Sequence, residues 1–323
     1  MGKNLPAKKY SVGNRTERFL HFELAHTGGS TDSHFIDLAA ALSMVNKRFY
    51  RQGLYYYIKS ISIVETTGET KVQFGTAPDT WTTVQAWRLG FRNWSKMNSM
   101  AAEAIPGGDL AIAGKYQDFK IYLNSNHRSD PDTIVPSNGP ASMDGDPHET
   151  ADDWDYSVFH TMHPEGSNPN NTDRDSFEIC LIGNNHTNGS GGEDQFAAVS
   201  LSRSYVISKN LVRDDTPRQF DNMGDDPLLR LFDASSSGDN ILDDLQDQND
   251  GAPYNSDGVQ ADTVLRAQAS VGPTSNKTAM LPGFCVPCGL LEVLTTCAGD
   301  NTVKVLIEMA PGPYHGVYAE RIA

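Results

Sequence analysis

Cys285 and Cys288, separated by two residues, form the most conspicuous chemical motif of the sequence. A structural zinc site needs four ligands, normally from a second such pair, and only Cys297 lies nearby in the sequence. A redox pair needs its first cysteine at the start of a helix in a βαβ unit, whereas this pair leads into an apolar segment that is typical of a strand. We therefore interpret the two cysteines as small packed thiols.

His160, His163 and Glu165 are a second set of residue types that bind metals, and together they suggest the metal site of a cupin. On a strand, however, residues three apart point to opposite faces of the sheet. The two histidines therefore cannot share a face. We expect them at the surface or satisfied by hydrogen bonds.

Carboxylates are concentrated between residues 144 and 155, in the stretch DGDPHETADDWD. Hard cations favour clustered carboxylates, so this stretch is a candidate calcium site, but it lacks the ligand spacing of an EF-hand. A solvated acidic loop is the interpretation that we prefer, and we predict no bound metal. The four carboxylates of the calcium candidate are Asp144, Asp146, Glu149 and Asp152.

The common catalytic motifs are missing from the sequence. It contains no GxSxG nucleophile elbow, no phosphate-binding P-loop and no GxGxxG dinucleotide fingerprint. We predict that the chain is not an enzyme and needs no cofactor.

Charge is unevenly distributed along the chain. The 323 residues carry a formal net charge of −15, yet residues 1–60 hold nine basic and four acidic side chains, and the rest of the chain holds 17 and 37. A protein that simply coats nucleic acid should be basic overall, so we predict that only one end faces a polyanion. A short basic arm over residues 1–16 begins that end. The predicted nucleic-acid-facing residues are Lys3, Lys8, Lys9, Arg15, Arg18, Lys47, Arg48 and Arg51.

Alternating side chains predict extended strands along most of the chain. In residues 17–24, the apolar Leu20, Phe22 and Leu24 fall on one face, which is the signal of a half-buried strand. Aromatic and β-branched residues dominate residues 54–64, which predicts a long strand. Ten strand segments are predicted: 17–24, 54–64, 71–76, 117–124, 154–162, 176–183, 196–208, 263–270, 289–296 and 302–310.

Helices are few, and polar loops are long. Helical spacing predicts helices over 33–45, capped by Ser33 or Asp32, and over 80–103, capped by Thr80 or Asp79. Residues 226–247 are interpreted as two short helices or a loop. Because no apolar run approaches the roughly 18 residues of a membrane span, we predict no such span. The fold expected is all-β, a single antiparallel β-sandwich over 17–323 with long loops and a few short helices.

Three stretches resemble the capsid proteins of small circular single-stranded DNA viruses that encode a Rep-type replication protein. They are residues 42–63 (LSMVNKRFYRQGLYYYIKSISI), residues 77–97 (APDTWTTVQAWRLGFRNWSKM) and residues 311–323 (PGPYHGVYAERIA). The Pro-Gly turn within residues 281–293 is similar as well. The resemblance, which is closest to the environmental viruses of this kind, implies a single viral jelly roll.

The resemblance also implies a function. Such proteins self-assemble into icosahedral shells of about sixty copies or multiples of sixty, and they package single-stranded DNA. The chain would then be part of a virion assembled inside the host cell, with a host receptor as a further partner. Trp81, Trp87 and Trp94 are expected as interface anchors. The sequence departs from these capsids in its first residues, which lack their dense run of arginine and lysine.

Two other functions are compatible with the same strands and loops. A receptor-binding or carbohydrate-binding sandwich, such as the head of a viral spike or fibre, would use the loops rich in Asn, Asp and Tyr. A double-jelly-roll capsid protein, as in membrane-containing phages, would need about sixteen strands, since one jelly roll takes eight.

Overall fold

The computed structural model describes residues 16–26, 28–65, 68–104, 118–129, 133–137, 154–162, 174–187, 196–210, 262–273, 276–297 and 299–322. These residues group into two compact units. The first unit comprises 1–74, 133–154 and 266–322, and the second comprises 75–132 and 155–265. The bounds expected from the sequence, an arm over 1–16 and one domain over 17–323, stay predictions.

The described residues are mostly β. In chain order the elements are β1 (Phe19–His26), β2 (Thr31–Asp37), α1 (Leu38–Asn46), β3 (Leu54–Val64), β4 (Thr70–Thr76), α2 (Trp81–Ala104), α3 (Ser125–Ser129), β5 (Val158–Met162), β6 (Arg174–Cys180), β7 (His186–Thr187), β8 (Phe196–Ser200), α4 (Leu201–Asn210), β9 (Val264–Val271), β10 (Thr278–Pro282), β11 (Cys285–Pro287), β12 (Leu290–Cys297), β13 (Asn301–Met309), β14 (Pro311–Gly312), β15 (Gly316–Val317) and β16 (Ala319–Arg321).

Two sheets form the first unit. One has the order β1-β13-β3-β10, with β11 and β16 also paired to β3, and the other has the order β2-β12-β4-β9. The pairs β1·β13, β13·β3, β3·β10 and β2·β12 are antiparallel. Without β11 and β16, the two sheets contain eight strands, which are β1, β2, β3, β4, β9, β10, β12 and β13. In chain order, the first of these eight pairs with the eighth, the second with the seventh, the third with the sixth and the fourth with the fifth. The strand pairs are thus nested one inside another.

A single hydrophobic core joins these two sheets. In β1, Leu20, Phe22 and Leu24 are buried and alternate with exposed residues, as predicted. Their cluster includes Val305 from the same sheet and Phe74 from the other sheet. Fully burying such a side chain contributes roughly 1.5–3 kcal/mol. Because both sheets bury their inner faces in one cluster, the arrangement is compatible with a β-sandwich.

The first helix begins later than predicted. The sequence places a helix over 33–45 capped by Ser33 or Asp32, but those residues belong to β2, which pairs with β12 as far as Asp37. Asp37 has extended backbone angles and is the N-cap of α1, because its carboxylate accepts hydrogen bonds from the first helical N–H groups. Strand pairing therefore overrides the helical spacing in this stretch.

The second unit departs from the all-antiparallel prediction. Its sheet has the order β5-β6-β8-β7, and β6 runs parallel to β8. Residues 196–208, predicted as one strand, are a strand to Ser200 and then a helix. Residues 117–124, also predicted as a strand, contribute a single bridge from Tyr122 before α3 begins. The helix predicted over 80–103 is confirmed as α2, and at 24 residues it is not short.

Of the helices in the described ranges, none combines the length and the apolar run that crossing a membrane would require.

A close approach between β3 and the turn after β10 makes Gly283 a test of this fold. A Cβ on Gly283 would clash with the carbonyl oxygens of Ile58 and Lys59, 2.5 Å from the latter. We expect Gly283→Ala to lower the free energy of unfolding by about 1–3 kcal/mol, since backbone must move to relieve the overlap. Urea denaturation measures it. Gly299→Ala, whose Cβ meets nothing within 4 Å, is the matched control, and equal stability of both variants would contradict the β3 packing.

Candidate nucleic-acid interface

The end of α1 leads directly into the basic residues predicted to face nucleic acid. Lys47 follows the last helical residue in the left-handed conformation, at φ 50°, and its N–H donates to the Ser43 carbonyl. A helix C-terminus carries partial negative charge that favours nearby cations. Lys47 and Arg51 are exposed, and Arg48 is half-buried. The structure therefore brings three of the predicted residues together, and we call residues 47–51 the basic segment.

Hydrogen bonds to neighbouring elements hold the basic segment in place. The Tyr50 N–H donates to Ser43 Oγ at 2.9 Å, and the Tyr50 hydroxyl donates to the His315 carbonyl at 2.9 Å. The Arg51 N–H donates to the hydroxyl of Tyr314 at 3.0 Å. The backbone of the segment is thus fixed by a helix and by the C-terminal hairpin of β14 and β15.

The described chain starts beside the same segment. Thr16 Oγ1 donates to the His315 carbonyl at 2.7 Å, the same oxygen that Tyr50 uses. The Glu17 N–H donates to Asn46 Oδ1 at 2.8 Å, so the first described residues are tied to the end of α1. Thr16 and Glu17 therefore lie beside the basic segment. Four predicted residues, Lys3, Lys8, Lys9 and Arg15, lie outside the described residues.

Arg18 is only partly a member of this group. Its backbone follows Glu17, but its charge interacts with the carboxylate of Glu308. The hydrogen bond from Lys59, together with the charges of Lys59 and Arg18, holds the pKa of Glu308 below its usual range. Lys59 Nζ lies 2.7 Å from Glu308 Oε1. The charge of Arg18 is therefore directed towards the outer face of the first sheet, where a carboxylate already offsets it.

An exposed aromatic ring accompanies the cations. Phe49 is 39% exposed, and its ring lies 6.1 Å from that of Trp154. Aromatic rings beside cations are the usual platform for bases of single-stranded nucleic acid. We did not single out Phe49 from the sequence, although its position between two arginines, in the run KRFYR, carries the signal.

A buried carboxylate lies beneath the segment. Asp37 is 1% exposed, and its Oδ1 accepts from the N–H groups of Ala39 and Ala40 at 2.9 and 3.1 Å. Its Oδ2 accepts from Gln52 Nε2 at 2.9 Å and from Trp154 Nε1 at 3.0 Å. Burial raises the pKa of Asp37 to about 6, and the four hydrogen bonds oppose that rise.

The three tryptophans predicted as interface anchors have different surroundings in the second unit. Trp87 is 8% exposed and stacks on Phe91, with ring centroids 5.2 Å apart. Trp94 is half-buried and packs 6.0 Å from Phe91. Trp81 is 45% exposed and touches Tyr205 edge-on. Of the three, Trp81 offers the largest exposed fraction, and the anchor role stays a prediction.

The residues tested for metal and redox chemistry are scattered. Cys288 is buried in the turn before β12, and burial raises the pKa of its thiol, while Cys285 lies on β11. His160 is exposed on β5. The other metal candidates lie outside the described residues: His163, Glu165, Asp144, Asp146, Glu149 and Asp152. Within the described ranges, no group of three or more His, Cys, Asp or Glu side chains is placed to hold a metal ion.

A groove of about 490 Å³ lies in the second unit between α2, α4 and one face of the sheet. Its lining is largely apolar, and Lys96 and His160 are its titratable side chains. An apolar groove with a few polar groups is typical of a binding site for a small molecule. The titratable clusters expected of an active site are not found along this lining.

The raised pKa of Asp37 predicts how stability depends on pH. From about pH 4 to about pH 6 the folded protein keeps a proton that the unfolded chain, with a pKa of 3.8, has lost. Asp37 therefore contributes most stability below pH 4, and about 3 kcal/mol of it is lost as pH rises to 6. We expect Asp37→Asn to lack this fall, which urea denaturation at pH 4.5 and 7 measures. Other carboxylates cancel in the comparison, and parallel pH profiles for the two proteins would contradict the prediction.

Comparison with known proteins adds nothing to this geometry: no family model, no curated protein and no solved structure matches the chain. The first unit thus presents a basic segment beside an exposed aromatic ring, held over a buried carboxylate.

Proposed function

We propose that the chain is the structural subunit of an icosahedral viral capsid that encloses single-stranded DNA, built on a single jelly roll. The observation that carries the proposal is the nested pairing of eight strands in the first unit. In a jelly roll, a long hairpin of eight strands rolls up, so that its four strand pairs alternate between two sheets. Capsid proteins share this architecture with lectins and cupins.

The strand order supports this topology pair by pair. The outermost pair β1·β13 and the third pair β3·β10 share one sheet, while β2·β12 and β4·β9 share the other. Contacts of β13 with β3 and of β12 with β4 then join the pairs within each sheet. An ordinary up-and-down sandwich would instead pair strands that follow each other in the sequence. Among the eight strands, only β4 and β9 follow each other in the sequence and also pair with each other.

The second unit supports a single jelly roll rather than a double one. A second jelly roll would need eight more strands. The second unit instead has four described strands, two of them parallel, and the long helix α2. It is inserted between β4 and β9, the innermost strand pair. We infer that it elaborates a loop of the jelly roll.

The distribution of charge supports assignment of the basic segment to the interior of a shell. The chain carries −15 overall, so most of its surface repels both nucleic acid and other copies at long range. Lys47, Arg48 and Arg51 form a basic group within this acidic chain, and the sequence of residues 1–16 adds Lys3 and Lys8. Each cation in contact with a phosphate releases a counterion, so the affinity is modest per subunit and sensitive to salt. Repetition around a closed shell multiplies it.

Self-assembly is the first test. We expect the purified protein to form particles of uniform diameter in negative-stain electron micrographs, because a closed shell repeats the same interfaces by symmetry. Light scattering across pH, salt and calcium concentration measures the same property in solution. Monomers or trimers under all these conditions would contradict the capsid assignment and would favour the receptor-binding sandwich.

Charge removal tests the nucleic-acid interface. Lys47→Gly removes a cation at a left-handed position that glycine adopts without strain, so we expect it to preserve stability. Combined with Arg51→Gln, it should lower the slope of log affinity against log salt by about 1.4 for oligothymidylate, since each phosphate contact contributes about 0.7. Lys71→Gln, which removes an exposed cation from β4, is the matched control. An unchanged slope in the double variant would exclude the basic segment as the interface.

A further inference from the structure

Asp37 contacts three parts of the chain that lie next to the basic segment. The segment begins where α1 ends, and Asp37 caps the start of that nine-residue helix. The residue after the segment is Gln52, whose side chain donates to Asp37 Oδ2. Trp154 donates to the same oxygen, and its ring packs against Phe49 within the segment. One carboxylate therefore connects the elements before, after and beside the three cations.

The connection leaves little freedom. Both oxygens of Asp37 are occupied by two N–H donors each, all between 2.9 and 3.1 Å. The group is buried, so water does not replace a donor that is lost. The basic segment itself belongs to no strand, so no ladder of hydrogen bonds fixes it independently. Its other ties include the hydrogen bonds of Tyr50 and Arg51 to α1 and the C-terminal hairpin.

We propose that Asp37 is a positioning residue for single-stranded DNA: through Gln52 and Trp154 it holds the basic segment in the one arrangement in which its exposed cations, Lys47 and Arg51, both contact phosphates. The inference rests on the proposed function of that segment. Asp37 does not touch the nucleic acid. It sets the spacing of the cations, and spacing decides how many phosphates are neutralised together.

Loss of a donor should therefore change DNA binding more than it changes the fold. Trp154→Phe keeps an aromatic ring near Phe49 and removes the indole N–H together with the five-membered ring that carries it. Gln52→Met keeps the length of the side chain and removes only the amide. In each variant the net charge is unchanged, so a fall in affinity cannot come from loss of a cation.

The experiment measures binding of labelled oligothymidylate to the full-length chain at pH 7.5 over a range of salt concentrations. We expect Trp154→Phe and Gln52→Met to lower the slope of log affinity against log salt by about 0.7, the value for one phosphate contact. Affinity at low salt should fall severalfold in both. A thermal melt of each variant reports the fold separately.

Ser33→Ala is the matched control. Ser33 Oγ donates to the buried Glu292 at 2.9 Å, so the variant also removes one donor from a buried carboxylate of the same unit, away from the basic segment. It should lose stability and keep the salt slope of the wild type. A purely structural role of Asp37 would give all three variants the same behaviour.

The outcomes separate the two proposals. Folded Trp154→Phe and Gln52→Met variants with wild-type slopes would overturn the positioning role, while loss of slope in Lys47→Gly/Arg51→Gln would still uphold the interface. An unchanged slope in that double variant overturns both. Should Trp154→Phe not fold, Gln52→Met alone decides, since it alters a different contact of the same oxygen.

Discussion

The carboxylate of Asp37 receives four N–H groups in the interior of the first unit, and the course of the chain around it follows from that constraint. A buried carboxylate is costly unless its oxygens are fully hydrogen-bonded. The donors come from α1, from Gln52 and from Trp154, which is 117 residues away in sequence. The Asp37 carboxylate thus fixes the relative positions of three segments, which are the end of β2, the start of α1 and the residues that lead into β3.

The acidic and the basic residues of this chain would have different roles at its surface. In the proposed capsid, the acidic majority would limit aggregation through repulsion at long range, while the basic segment would attract polyanions only at close range, within about one Debye length. The rings of Phe49 and Trp154, which lie 6.1 Å apart, would add stacking on the bases, which does not depend on salt. Electrostatic attraction and stacking would therefore act on the same nucleotides, one setting how fast they arrive and the other how long they stay.

Local patterns predicted the regular parts of this structure and failed where distant residues decide. The strand predicted over 54–64 is β3, because aromatic and β-branched side chains alternate along it. The helix expected from residue 33 starts at Leu38, because pairing with β12 extends β2. The strand predicted over 196–208 ends at Ser200, because Leu201 begins α4. The basic segment was visible as a run of charges, but its link to Trp154 through Asp37 is a long-range contact without a local signal.

The nesting of strand pairs determines where this architecture tolerates added sequence. Phe19 pairs with Glu308, so the outermost strand pair joins residues that are far apart in the sequence, which is typical of slow folding. The innermost pair is β4 and β9, and residues 77–263 form the connection between these two strands. The entropic cost of closing a loop grows only with the logarithm of its length. The connection between β4 and β9 can therefore accept a large insertion at a small cost in folding free energy. Variation in size among proteins of this topology should therefore concentrate there and leave the outer strand pairs intact.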